Sequence, residues 1–113
     1  MSQITTHVLD TTRGKPAAGI TIVLEELTKA NHWIVRGKGE TNSDGRLPDL
    51  LEADVKLDHG TYRLHFDTGA YFKKHSTPGF YPSVTITFEV TDQTHYHVPL
   101  LLNPYGYSTY RGS

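Results

Sequence analysis

The stretch Val84-Thr85-Ile86-Thr87-Phe88-Glu89-Val90 decides the fold class of this chain. Apolar side chains occupy every second position, and Thr or Glu fills the positions between them. A β-strand places successive side chains on opposite faces, so this alternation predicts a strand with one face in a core and the other in solvent. β-branched and aromatic residues are also the types that suit such a half-buried surface.

The same alternation recurs along the chain, in Gln3–Leu9, Ile20–Leu27, Trp33–Glu40, Thr61–Asp67 and His95–Leu102. Within Trp33–Glu40, Gly37 and Gly39 indicate a bulge or a weak edge strand. Turn residues separate the runs: Arg13-Gly14-Lys15-Pro16, Asn42-Ser43-Asp44-Gly45, Asp58-His59-Gly60 and Asn103-Pro104-Tyr105-Gly106. Several short strands separated by turns favour an all-β sandwich or barrel.

One segment, Thr68–Ser76, has a helical pattern. Thr68 can serve as its N-cap, Tyr71 and Phe72 can face the core, and Pro78-Gly79 is expected to end it. The 113 residues contain no linker and no repeat, so we expect a single domain over residues 1–113.

Composition excludes several classes of protein. Eleven Lys and Arg against twelve Asp and Glu leave no basic excess, which argues against a nucleic-acid binder. No run of 18 apolar residues predicts a membrane span. The absence of Cys excludes disulfides, thiolate metal sites and a cysteine nucleophile. Residues 1–20 lack the basic and apolar regions of a secretory signal, so we expect a cytoplasmic location.

Two of the seven histidines, His7 and His97, lie in strand-like runs on the face away from the apolar row. Histidine is the side chain best suited to move protons near neutral pH. Arg46 follows the turn at Asp44-Gly45 and could bind a carboxylate or a polarised carbonyl with two hydrogen bonds. The alternative is that these histidines are solvated surface residues and that Arg46 only flanks a turn.

Two further features are ambiguous. His95 and His97 have the i, i+2 spacing of two metal ligands on one strand face, but no third ligand is near them in the sequence, which disfavours zinc. Three Tyr and one Arg occur in Tyr105–Ser113, and these are the types that anchor interfaces and pockets. The alternative is a C-terminal strand whose Tyr side chains pack on the sandwich.

Motifs that run nearly from end to end carry a resemblance to a known family. They are Thr6-His7-Val8-Leu9-Asp10-Thr11 with Gly14-Lys15-Pro16-Ala17, Thr41-Asn42-Ser43-Asp44-Gly45-Arg46, Phe80-Tyr81-Pro82 with Val84–Phe88, His95–Leu102, and Tyr110-Arg111-Gly112-Ser113. Together they resemble 5-hydroxyisourate hydrolase, the transthyretin-related enzyme family of urate breakdown. In that family the closing tetrapeptide separates the hydrolases from transthyretin proper, a hormone carrier with the same fold.

The resemblance implies an all-β, transthyretin-like sandwich of two four-stranded sheets with one short helix, assembled as a homotetramer that is a dimer of dimers. It implies hydrolysis of 5-hydroxyisourate to 2-oxo-4-hydroxy-4-carboxy-5-ureidoimidazoline, with no cofactor and no metal. One alternative is a non-enzymatic carrier of small aromatic ligands. Another is an immunoglobulin-like interaction domain, which the lack of Cys and of a secretory signal disfavours.

The resemblance also implies residue roles. His7, Arg46 and His97 would be catalytic, and substrate would be bound by His7, Arg46, Tyr110, Arg111, Gly112 and Ser113. Opening a cyclic amide with water requires a base for the water, stabilisation of the oxyanion and a proton for the leaving nitrogen. We expect the two histidines to handle the protons and Arg46 to offset the oxyanion charge. Tyr110 and Arg111 would hydrogen bond to ring heteroatoms, and the Ser113 carboxylate could orient a histidine.

Overall fold

The computed structural model describes residues 1–113. In chain order the elements are β1 (Ile4–Asp10), β2 (Lys15–Pro16), β3 (Thr21–Leu27), β4 (Trp33–Glu40), β5 (Arg46–Leu47), β6 (Gly60–Phe66), α1 (Thr68–Lys74), β7 (Val84–Val90), β8 (Tyr96–Asn103) and β9 (Gly106–Thr109). Every run of alternating residues forms a strand, so the all-β prediction is confirmed. The chain contains no helix that is long and apolar enough to cross a membrane.

Two sheets form the sandwich. One has the strand order β2-β1-β8-β9, and β5 also pairs with β1; the other has the order β4-β3-β6-β7. The short strands β2 and β5 pair with different parts of β1, at Leu9-Asp10 and Thr6-His7. The first sheet therefore contains five strands but is four strands wide, as the predicted sandwich requires. Only β1 and β8 run parallel to each other.

The inner faces of the two sheets enclose one apolar core. Val84 and Val90 of β7 are buried there, while Thr85, Thr87 and Glu89 point to solvent. In β1, the alternate residues from Ile4 to Asp10 are buried, and Thr5, His7 and Leu9 lie on the outer face. A shift of one residue in the pairing register of β1 would point these outer-face side chains into the core. The apolar core thus sets the outward direction of His7.

The N-cap of the helix lies one residue earlier than predicted. The N-cap is Asp67, whose carboxylate accepts a hydrogen bond of 3.3 Å from the backbone N–H of Ala70. Asp and Thr are both good N-caps, so the pattern alone did not separate them. Thr68 is instead the first helical residue, and it is buried.

The helix also ends earlier than predicted, at Lys74. Ser76 has a φ of 51°, its N–H donates to the carbonyl of Lys73, and the N–H of Thr77 donates to the carbonyl of Phe72. This is a Schellman motif, which closes the helix before Pro78 is reached. Tyr71 and Phe72 are buried as expected.

The predicted irregularity in β4 is present. Gly37 pairs with Leu24 and Val35 pairs with Glu25, so Arg36 is an extra residue at a bulge on this edge strand. A Cβ atom on Gly37 would lie 2.3 Å from the carbonyl oxygen of Leu50. Glycine here permits close approach of the segment that follows β5.

Candidate active site

His7, Arg46 and His97 meet on the outer face of the first sheet. His7 lies opposite Arg46 in the antiparallel pair β1–β5, and Thr5 lies opposite His97 in the parallel pair β1–β8. Tyr96 and Leu47, their neighbours in sequence, are buried, so His97 and Arg46 point outward. The sheet register thus brings together three residues that lie far apart in the chain.

A glycine turn places Arg46. The side-chain oxygen of Asn42 accepts hydrogen bonds from the backbone N–H groups of Asp44 (2.9 Å) and Arg46 (3.1 Å). Gly45 has a φ of 73°, and its carbonyl accepts a 2.8 Å hydrogen bond from the N–H of Val8. A Cβ atom on Gly45 would lie 2.4 Å from the carbonyl oxygen of Val8. Glycine therefore allows the turn to dock on β1 next to His7.

The surroundings favour neutral imidazoles at this face. Burial lowers the pKa of His7, the Arg46 guanidinium lowers it further, and Asp44 acts in the opposite direction. Burial and then Arg46 also lower the pKa of His97, with smaller contributions from His95 and His7. A neutral imidazole can accept a proton, so both side chains can act as bases at neutral pH.

Backbone and side-chain contacts hold the His97 ring. Thr5 Oγ1 lies 2.8 Å from its Nδ1 atom. On another side, the N–H of Gly112 donates a 2.8 Å hydrogen bond to the carbonyl of His97. A Cβ atom on Gly112 would come 2.6 Å from the ring Cδ2 atom. The closing tetrapeptide therefore touches the candidate site through Gly112.

Arg111, by contrast, is engaged elsewhere in the single chain. Its guanidinium carbon lies 4.3 Å from the centre of the Tyr96 ring, and Nη2 lies 3.5 Å from Thr94 Oγ1. Tyr96 is buried on the inner face of β8, so this position lies across the strand from His97. Tyr110 and Ser113 are exposed. The chain by itself brings Gly112, but not Arg111, to the predicted site.

The two cavities of the chain lie away from these residues. One of about 510 Å³ lies between α1 and Thr77–Pro82, and one of about 290 Å³ lies beside Tyr96 and Arg111. His7, Arg46 and His97 line neither cavity. The face that carries them is open in the single chain, and a closed pocket there requires a second surface.

Thr5 and His95 extend the site beyond the sequence prediction. Thr5 Oγ1 lies 2.8 Å from Nε2 of His95 as well as from His97. The sequence pattern offers His95 only as a metal ligand, and the structure shows no group of three or more His, Cys, Asp or Glu that could hold a metal ion. The alternation in β1 puts Thr5 on the same face as His7, but its contact with β8 depends on strand pairing that the local sequence does not reveal.

A comparison with known proteins now decides the family. The model of the HIUase/transthyretin family matches residues 4–112. The chain belongs to this family. A relative within it, 5-hydroxyisourate hydrolase of Mus musculus, is 46% identical over 114 residues, which cover 99% of this chain and 96% of the mouse protein. The resemblance that the motifs predicted is thereby confirmed.

Solved structures similar to this chain include both a transthyretin bound to thyroxine and a 5-hydroxyisourate hydrolase. Sea bream transthyretin in complex with thyroxine has a TM-score of 0.92 at 26% identity and covers 98% of this chain and 95% of its own. Klebsiella pneumoniae 5-hydroxyisourate hydrolase has a TM-score of 0.84 at 34% identity, and the match covers 97% of this chain and 98% of the Klebsiella chain. Backbone shape is therefore shared by both functions, and side chains must separate them.

Proposed function

We propose that this protein hydrolyses 5-hydroxyisourate to 2-oxo-4-hydroxy-4-carboxy-5-ureidoimidazoline. The observation that carries the proposal is the meeting of His7 and His97, each with a lowered pKa, beside the Arg46 guanidinium on one sheet face. Two bases and a fixed cation match what water attack on a cyclic amide requires. Similarity to family members named 5-hydroxyisourate hydrolase supports the choice of substrate.

The reaction divides into two proton steps. One imidazole takes a proton from the attacking water while oxygen adds to the ring carbonyl carbon, and Arg46 stabilises the oxyanion that forms. The C–N bond then breaks, and the imidazolium returns the proton to the leaving nitrogen. No acyl-enzyme is needed, because the three residues include no nucleophile of the Ser or Cys type.

We also propose the homotetramer, a dimer of dimers, in which another subunit covers the open face. Support comes from exposed aromatic side chains: Phe80 is 70% exposed, Tyr81 42% and Tyr107 43%. Their rings contact one another edge to face, at 4.9 and 5.7 Å between centres. Apolar patches of this kind typically mark subunit interfaces. Sedimentation equilibrium tests it: four times the 12.7 kDa chain mass supports the tetramer, and a monomer contradicts it.

We further propose that the protein is cytoplasmic. Fractionation of cells that make the protein, with immunodetection in each fraction, tests it directly.

The activity is tested by ultraviolet spectroscopy. Urate oxidase generates 5-hydroxyisourate in the cuvette, and its decay is followed with and without the protein. We expect decay well above the spontaneous rate, lost in His97→Ala and retained in His32→Ala, which changes an exposed turn histidine. Decay at the spontaneous rate from folded wild-type protein would reject the hydrolase and favour the carrier.

A further inference from the structure

Thr5 lies between two imidazoles. Its Oγ1 atom is 2.8 Å from Nδ1 of His97 and 2.8 Å from Nε2 of His95. The two rings are inclined by 29°, with centres 6.2 Å apart. A threonine hydroxyl has one hydrogen and two lone pairs, so it can donate to one ring and accept from the other at the same time. The three side chains thus form a continuous hydrogen-bonded chain.

The hydrogen-bonded series His97–Thr5–His95 connects a half-buried side chain to solvent. His97 is half-buried in β8, whereas His95 precedes the strand and is exposed. Burial lowers the pKa of His97, and the nearby Arg46, His95 and His7 lower it further. A proton on His97 is therefore unfavourable, and Thr5 is the side chain that hydrogen bonds to its ring.

Hydrolysis creates a need for such a path. Water adds to the amide carbon, the C–N bond breaks, and the products are a carboxylic acid and a ureide N–H. The ureide nitrogen is not basic, and a carboxylic acid ionises well below neutral pH. Each turnover therefore leaves one proton to be removed from the site.

We propose that Thr5 and His95 form a proton relay that carries this proton from His97 to solvent. The inference rests on the proposed function and adds two residues to it. Before the step, His97 Nδ1–H donates to Thr5 and the Thr5 hydroxyl donates to His95 Nε2. His97 Nε2 takes the product proton, Nδ1 passes its proton to Thr5 Oγ1, and Thr5 passes its own to His95 Nε2. His97 is again neutral, with its proton on Nε2, and His95, now protonated on both nitrogens, releases its Nδ1 proton to water. Proton exchange with water then returns both rings to their starting tautomers before the next turnover.

Removal of the Thr5 hydroxyl tests the path. We expect Thr5→Val to lower kcat at least about tenfold with KM little changed, because loss of the hydroxyl interrupts proton removal and changes none of the predicted substrate-binding residues. Thr5→Ser keeps the hydroxyl and should recover most of the rate. The matched control is Thr85→Val, because Thr85 Oγ1 makes an equivalent 3.0 Å contact with His65 Nδ1 on the other sheet. A wild-type kcat in Thr5→Val would overturn the relay.

Buffer dependence tests the outer end of the path. His95→Ala should be slow in dilute buffer and should recover as imidazole is added, because a soluble base can replace the missing ring. His65→Ala is the matched control and should respond to neither change. A structural role for His95 would not produce rescue by imidazole, so a rate independent of buffer would contradict the relay.

Nuclear magnetic resonance gives a readout that does not depend on activity. In ¹⁵N-histidine-labelled protein, Thr5→Val should shift the His97 Nδ1 and His95 Nε2 resonances, because both nitrogens lose their hydrogen-bond partner. Unchanged ¹⁵N shifts would reject the hydrogen-bonded chain. If these shifts change but wild type does not hydrolyse 5-hydroxyisourate, the proposed substrate is wrong and the hydrogen-bonded chain stands.

Discussion

Gly112 lies so close to His97 that a Cβ atom on it would come 2.6 Å from the imidazole Cδ2 atom. Its backbone N–H is also bonded to the His97 carbonyl at 2.8 Å. Only glycine at position 112 therefore fits against the His97 ring in this arrangement. Any side chain at this position must displace the ring or the segment.

We expect Gly112→Ala to lower kcat/KM at least about tenfold, because a small displacement of a catalytic ring is costly. Steady-state kinetics on the purified variant measures the effect. Gly106→Ala is the control: a Cβ atom there meets only Asn103, at 3.7 Å. Equal activity of the two variants would show that the close approach has no catalytic consequence.

Arg46→Ala should lower kcat/KM at least about a hundredfold, since oxyanion stabilisation is lost. It should also raise the pKa of both His7 and His97, because the Arg46 charge lowers both. Histidine proton resonances followed against pH report the second effect. If the variant loses activity but the pKa values of His7 and His97 do not change, the Arg46 charge does not set those pKa values.

The pH profile of activity follows from the direction of these shifts. A base acts in its neutral form, so kcat/KM should rise with pH as the imidazole loses its proton. Since burial lowers the pKa of His7 and His97 below the ordinary 6.5, the midpoint should lie below 6.5 and the rate should be level from pH 7 to 8. A midpoint above 6.5 would contradict the assignment.

Removal of Tyr110–Ser113 should abolish turnover and leave the sandwich folded. The segment contributes Gly112 to the His97 site, but none of its residues belongs to the apolar core. Circular dichroism during heating compares the truncated and full chains. Arg111→Ala is an internal comparison, since it removes the contacts with Tyr96 and Thr94 and leaves Gly112 in place. Loss of folded protein on truncation would make the segment structural.

A contact far from the site tests stability separately. The Tyr71 hydroxyl donates a 2.8 Å hydrogen bond to Oδ2 of Asp10, and both residues are buried. Tyr71→Phe leaves that carboxylate oxygen unpaired, so we expect a loss of about 1–3 kcal/mol in the free energy of unfolding. Urea denaturation measures it, with the exposed Tyr105→Phe as the control. An unchanged midpoint would show that water satisfies Asp10.

The sequence predicted the long strands because their periodicity is local: every alternating run became a strand. It did not predict β2 and β5, since two residues are too few to show a period. Alternation in β1 is enough to put Thr5 on the outer face, but its contact with His95 and His97 depends on the register between β1 and β8. The strand pattern and the family resemblance both predict His7, Arg46 and His97 as site residues, and the sheet register brings them to one face. The position of Arg111 over Tyr96 depends on three-dimensional packing.

The parallel pairing of β1 and β8 also affects folding during synthesis. Thr6 and Val98, which face each other there, are 92 positions apart in the chain. At about 5–20 residues per second, the ribosome needs about 5–18 s to make the intervening chain. His7 is therefore synthesised well before the β8 residues of the candidate site. A nascent chain that ends before β8 can therefore collapse, but it lacks the part of the candidate site that β8 contributes.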